Sequence, residues 1–359
     1  MSPINKPLLY NGFLLGNGAI VKNRVDKVFF TEVYSLTDNR FLFLFTDIRP
    51  EEILQKLKNY ETIRITNEDT QYPGIIVSAY SREQLSKIID HVKSQTGLTC
   101  VAGMKDLKNL LIRDVIQPIT NPEKFKQFKI PIPNGILLYG PPGCGKTFIV
   151  RKLAEELNYN YIELKHSDIA SPFIHDTTKK IGELFEKAKI HAPSIVFIDE
   201  IDGLIPKREQ LGVTGQYKQE EVNEFLNRLN DARANNILVI GATNRPDLLD
   251  TAILRTGRID KRIFVPPPDF EARKELFHLF LSGRPHAENI DYEKLAHITQ
   301  GFVCSDIEYI VTQSARMAVE TNKPLIDQRM IELEILKSVP SVTKDDLVKY
   351  RAFTDLERR

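Results

Sequence analysis

The stretch GPPGCGKT, Gly140 to Thr147, follows the apolar run GILLY and precedes FIVRKLAEEL, which has the spacing of a helix. A strand that enters a glycine loop and then a helix can turn several backbone N–H groups, and the positive end of the helix dipole, toward one anion. The G-x-x-x-x-G-K-[ST] spacing adds two side chains: Lys146 can reach β- and γ-phosphates, and the Thr147 hydroxyl can ligate Mg²⁺. The candidate cradle comprises Gly140, Pro141, Pro142, Gly143, Cys144, Gly145, Lys146, Thr147 and the following Phe148. The plainer reading is a glycine turn that opens a helix and leaves one lysine exposed.

Two further stretches could complete that chemistry. In IVFIDEID, four apolar residues lead to Asp199 and Glu200. Strands of a parallel sheet end at the crevice where ligands bind, so an acidic pair there faces the phosphates. Asp199 would hold Mg²⁺ through water, and Glu200 would orient and polarise an attacking water. NILVIGATN ends in Asn244, whose amide could bond both the γ-phosphate and that water. The alternatives are a solvated acidic turn for the pair and an ordinary turn former for the asparagine.

These residues need a scaffold. Across residues 99–265, the apolar runs GILLYG, YIEL, SIVFIDE and NILVIGATN alternate with amphipathic helical segments, the pattern of an α/β unit whose parallel sheet is covered on both faces. The prolines of VPPPD, Pro266 to Pro268, close that unit, and residues 266–359 read as helical. Residues 1–98 read as a small α+β domain. Its expected strands are GAIVK, KVFFTEVY, RFLFLFT, TIRIT and GIIVSAY, and its two expected helices start at Pro50 and at Ser81, the latter with Gln84 three residues on.

Composition narrows the function classes. A chain of 359 residues is long enough for two or three domains. Its 49 Lys and Arg are balanced by 48 Asp and Glu with no long basic block, so nucleic acid is not the expected partner. Cys100, Cys144 and Cys304 are widely spaced, which argues against a disulfide framework or zinc site and for a reducing compartment. No basic leader precedes an apolar core, and no uncharged run is long enough to cross a bilayer. A cytoplasmic protein without membrane insertion is expected. His166, His191 and His278 lack paired-ligand spacing and read as structural or surface residues.

From VAGMKDL to the C-terminus the sequence resembles the AAA+ ATPases, in the branch of valosin-containing protein, katanin, spastin and the proteasomal regulatory ATPases. The phosphate loop combined with GATNRPDLLDTAILRTGRIDKRI carries that resemblance. It implies a P-loop NTPase core with a C-terminal helical lid, ATP and Mg²⁺ as ligands, and a homohexameric ring. Arg255 and Arg258 stand at the two arginine-finger positions, which act on the neighbouring subunit's nucleotide; surface ion pairs are their alternative. Val101, Ala102 and Gly103 match the loop whose backbone contacts adenine, without its usual preceding Asp. Ser305 lies in the second-sensor helix, where Val303, Cys304 and Ser305 replace the usual Ser-Gly-Ala. PSVTKDDLVKYRAF looks like the closing helix of the branch.

The resemblance further implies ATP-driven remodelling, unfolding or disassembly of a protein target. Phe173 and Ile174 match the pair that grips polypeptide in the ring channel, flanked by the departures Pro172 and His175; packing of Phe173 in its own subunit's core is the alternative. A second channel loop falls within Leu211–Lys218, before a helix beginning near Gln219. The N-terminal domain is expected to recruit substrate or an adaptor, or to stabilise the ring. Other readings are a nucleotide-gated assembly switch without threading and, against the balanced charge, a nucleic-acid motor.

Overall fold

Runs such as GILLY, SIVFI and ILVIGAT lack the apolar/polar alternation of a sheet with one wet face, so as strands they must be covered on both sides. The computed structural model of the protein describes residues 8–10, 13–15, 32–35, 41–45, 62–65, 74–79, 97–130, 132–164, 176–207, 215–254 and 257–355. The chain divides into two compact units, Met1–Cys100 and Val101–Arg359.

In the first unit, six strands form an antiparallel sheet in the order β1-β2-β3-β4-β6-β5. They are β1 (Leu8–Tyr10), β2 (Phe13–Leu15), β3 (Glu32–Ser35), β4 (Phe41–Phe45), β5 (Thr62–Ile65) and β6 (Gly74–Ala79). The last four coincide with expected runs. β1 and β2 were not anticipated, since three-residue strands carry too little pattern to read. GAIVK and both expected helices lie outside the described residues.

The second unit is built on a wholly parallel sheet of β7 (Gly135–Tyr139), β8 (Asn160–Leu164), β9 (Ser194–Ile198), β10 (Ile237–Thr243) and β11 (Lys261–Phe264), in the order β11-β7-β10-β9-β8. Every residue of β7, β9 and β10 is buried, whereas the edge strands β8 and β11 are mostly half-buried. Register sets the site. Thr243 pairs with Tyr139 and Gly241 with Ile198, so Gly140, Asn244 and Asp199 leave the sheet along one edge.

The helices are α1 (Lys105–Leu111), α2 (Gln117–Thr120), α3 (Pro122–Gln127), α4 (Lys146–Leu157), α5 (Asp176–Ile190), α6 (Ile201–Leu204) and α7 (Gly215–Ala232), then α8 (Phe270–Leu281), α9 (Tyr292–Ile298), α10 (Cys304–Glu320), α11 (Gln328–Lys337) and α12 (Lys344–Asp355). α7 begins at Gly215 rather than near Gln219, because QYKQEE consists mostly of good helix formers with no breaker. Phe185 of α5 and Phe225 and Leu229 of α7 pack with Leu137, Val196 and Val239 of the sheet. A separate core, including Phe277, Leu295, Ile310 and Ile331, joins α8 to α11 into one C-terminal helical layer. Three of those helices start at aspartates that accept a backbone N–H three residues on: Asp269 from Ala272, Asp291 from Lys294 and Asp327 from Met330. No described helix is long and apolar enough to cross a membrane.

Candidate active site

The phosphate loop leaves β7 at Gly140 and enters α4 at Lys146. Lys146 is 7% exposed, and its ammonium donates to Gly140 O (2.9 Å), Pro141 O (2.8 Å) and Asn244 Oδ1 (2.5 Å). Burial pulls this lysine down to about 8 from its ordinary value, although the nearby Asp199 carboxylate opposes that shift. The loop and the end of β10 thus meet through one cation.

The acidic pair enters from the next strand. Thr147 Oγ1 donates to Asp199 Oδ2 at 2.9 Å, which puts a hydroxyl and a carboxylate oxygen at one spot. A hard cation that takes one or two protein oxygens and completes its shell from phosphates and water fits that donor pair. Asp199 Oδ1 accepts the N–H of Glu200 at 3.0 Å. Glu200 is exposed and sits in the left-handed region at φ 50°, a conformation costing a non-glycine residue of order 1–3 kcal/mol. Beyond it, Asp202 Oδ1 accepts from Thr243 Oγ1 at 2.5 Å, and Thr243 Oγ1 accepts from the Arg245 N–H at 2.8 Å, fixing the turn that carries Asn244. The DEID spacing could have signalled Asp202; sequence reasoning passed over it.

The first turn of α10 meets the same loop. Ser305 N–H donates to Gly143 O at 3.2 Å, and a Cβ on Gly143 would lie 2.1 Å from Ser305 Oγ and 2.9 Å from Val303 Cγ2. Glycine is required there for space as well as for its φ of +74°. Burial pushes Cys144 up to about 12 and Cys304 to about 11, so both remain thiols at neutral pH. Phe148, 43% exposed, lies beneath the Lys152 ammonium, 5.6 Å from its ring centre. Val101 is buried, Ala102 packs on the core of α8 to α11, and Gly103 lies against Ala272 of α8, where Glu275 Oε2 accepts Gly103 N–H (2.6 Å) and Asp269 Oδ2 accepts Met104 N–H (3.1 Å). Neither carboxylate carries a local sequence signal for that role.

Arg258 is elsewhere. Its carbonyl oxygen is 2.8 Å from where a Cβ of Gly135, the first residue of β7, would stand, and its Nη1 donates to Ala252 O at 2.8 Å. The phosphate loop begins at the other end of that strand, about 16 Å away at ~3.3 Å per residue. Arg255, Phe173 and Ile174 lie outside the described residues, as do residues 211–214. Among the described residues no group of three or more His, Cys, Asp or Glu side chains is arranged to hold a metal.

Residues 136–267 match the family described as ATPase family associated with various cellular activities (AAA). The chain is 33% identical over 320 residues to a cell division cycle protein 48 homolog of Archaeoglobus fulgidus, covering 85% of this chain and 43% of that one. It is 40% identical over 219 residues to a proteasome-activating nucleotidase of Sulfurisphaera tokodaii, covering 60% and 56% respectively. With an ATP-dependent zinc metalloprotease FtsH of Caldicellulosiruptor bescii it shares 32% over 295 residues, covering 81% and 47%. The chain therefore spans roughly half the length of these relatives.

Proposed function

The chain carries an AAA-family ATPase domain, and from that premise we propose that it hydrolyses ATP within a homohexameric ring and couples hydrolysis to remodelling or unfolding a protein target. The observation that carries this reading is the division of the machinery across the sheet. Lys146, Thr147, Asp199, Glu200 and Asn244 gather at one edge, and Arg258 stands at the other.

In this mechanism, backbone N–H groups of residues 143–147, past the two prolines, and the N-terminus of α4 hold the phosphates. Lys146 exchanges its carbonyl acceptors for phosphate oxygens, which frees Asn244 Oδ1 to accept from the attacking water. The Glu200 carboxylate polarises that water and takes its proton as the bond to the leaving ADP oxygen breaks. Thr147 and Asp199 supply oxygens for Mg²⁺, which when bound neutralises phosphate charge. Ser305 closes the lid against the loop, and Val101 to Gly103 line the base. Arg258, with Arg255 beside it in sequence, serves the next subunit's nucleotide, where such a guanidinium is worth about 10³–10⁵ in rate.

A protein target is supported by relatives named as a proteasome-activating nucleotidase and an ATP-dependent metalloprotease, and by the balanced charge of this chain. Phe173 and Ile174 are the proposed gripping pair, and the N-terminal unit the proposed recruiter of substrate or adaptor. Three widely spaced cysteines fit a reducing compartment such as the cytoplasm. The test is turnover of ATP by the purified chain and its Glu200→Gln variant. The expected loss is about 10²–10⁴ in kcat with nucleotide affinity retained; equal turnover by the variant would overturn the reading.

A further inference from the structure

The last helix of the chain reaches the catalytic edge of the sheet. Tyr350 of α12 is buried, and its hydroxyl donates to the backbone carbonyl of Asn244 at 2.7 Å. The side chain of the same asparagine accepts from Lys146 at 2.5 Å. Around this contact, the Tyr350 ring lies 6.0 Å from that of Phe264 at the end of β11, and Phe353 meets Tyr139 at the end of β7 edge-on at 4.9 Å. Much of the rest of α12 is solvated, with Val348 60% exposed. Docking of the helix therefore rests on the aromatic residues that also touch the strand ends.

From this geometry we infer that Tyr350 is a positioning residue for Asn244, through which the docking of α12 sets the aim of the asparagine amide at the phosphate site. The inference rests on the ATPase reading above. Thr243, held by Asp202, anchors the turn on one side, and Tyr350 anchors the carbonyl of Asn244 on the other. With both neighbouring groups fixed, the Cα–Cβ direction of Asn244 is fixed too. Without the phenol, the carbonyl must turn to find another donor, and the amide turns with it. Burial raises the Tyr350 hydroxyl above its ordinary value, so it remains a donor at neutral pH.

Tyr350→Phe keeps the ring against Phe264 and deletes only the donor. The full-length variant is expected to melt near the parent and to bind a fluorescent ATP analogue with the parent's Kd. Its kcat is expected to fall about three- to tenfold with KM little changed. In an Asn244→Ala background, the same substitution should lower kcat no further. An equal fold-loss in both backgrounds would show that the hydroxyl acts independently of Asn244 and overturn the inference, as would an undiminished kcat in the single variant. An inactive parent chain would instead bring down the ATPase reading itself.

Discussion

Lys146 is buried, which disfavours its charge, while the nearby Cys144 and Asp199 groups favour it, so two influences pull on its proton in opposite directions. Burial wins, lowering it from 10.5 to about 8. Below pH 8 the lysine is charged in both folded and unfolded chains, so the folded state carries the full penalty of burying that charge. Between about 8 and 10.5 the folded chain sheds its proton first, and this group's contribution to stability rises with pH. Nucleotide binding has the opposite sign, because phosphate oxygens pair with the charged form. Affinity for an ATP analogue, followed by fluorescence titration between about pH 7 and pH 9.5, is expected to be flat to pH 8 and then to fall by up to about tenfold per pH unit. Lys146→Arg, which stays charged, should lose that inflection, and a parent profile flat throughout would contradict the argument.

At the scale of elements, the contact that matters is the first turn of α10 on the phosphate loop. Gly143 permits it, since any side chain there meets Val303 Cγ2 at 2.9 Å and Ser305 Oγ at 2.1 Å. The serine hydroxyl can swing away, but Val303 is fully buried and cannot. Gly143→Ala is therefore expected to lift the lid from the loop. The observable result is a loss of at least about tenfold in ADP affinity by calorimetry, which Ser305→Gly in the same chain does not restore, because the valine clash and the left-handed backbone remain. α8 is held to the rest of the unit by a different device: Asp269 caps it through Ala272 and also binds Met104, so one carboxylate fixes both the helix start and residues 101–104.

At the scale of the whole molecule, the proposed machine depends on two opposite edges of one sheet. The length of β7 separates Arg258 from its own phosphate loop, so in the proposed ring the guanidinium serves a nucleotide bound by another copy. Arg258→Ala is expected to bind nucleotide normally and turn over little ATP. Mixing it with Glu200→Gln, inactive for a different reason, should recover part of the parent's turnover, because some interfaces then combine an intact Glu200 with an intact Arg258. Turnover by the mixture no greater than the sum of its parts, with ring assembly verified by sedimentation, would refute shared sites.

How much of this was legible beforehand follows from where the information lies along the chain. That the segment from Gly140 to Thr147, the pair Asp199 and Glu200, and Asn244 lie at strand ends is readable because β7, β9 and β10 are apolar runs, and their residue types are those the proposed phosphate chemistry asks for. β11 escaped notice because it is an edge strand: within KRIF only Ile263 is buried, and Lys261 and Arg262 disguise it as surface. Which partners support the site was not readable, even where the residue itself, Asp202 of the DEID run, carries a signal. Asp202 finds Thr243 across 41 residues, Tyr350 finds Asn244 across 106, and Glu275 finds Gly103 across 172. The sequence by itself determined which groups could do the chemistry, since local spacing and burial pattern encode that. Only the tertiary structure decided which groups aim them, because those partners meet through the packing of helices on strand ends, which leaves no period or spacing in the chain.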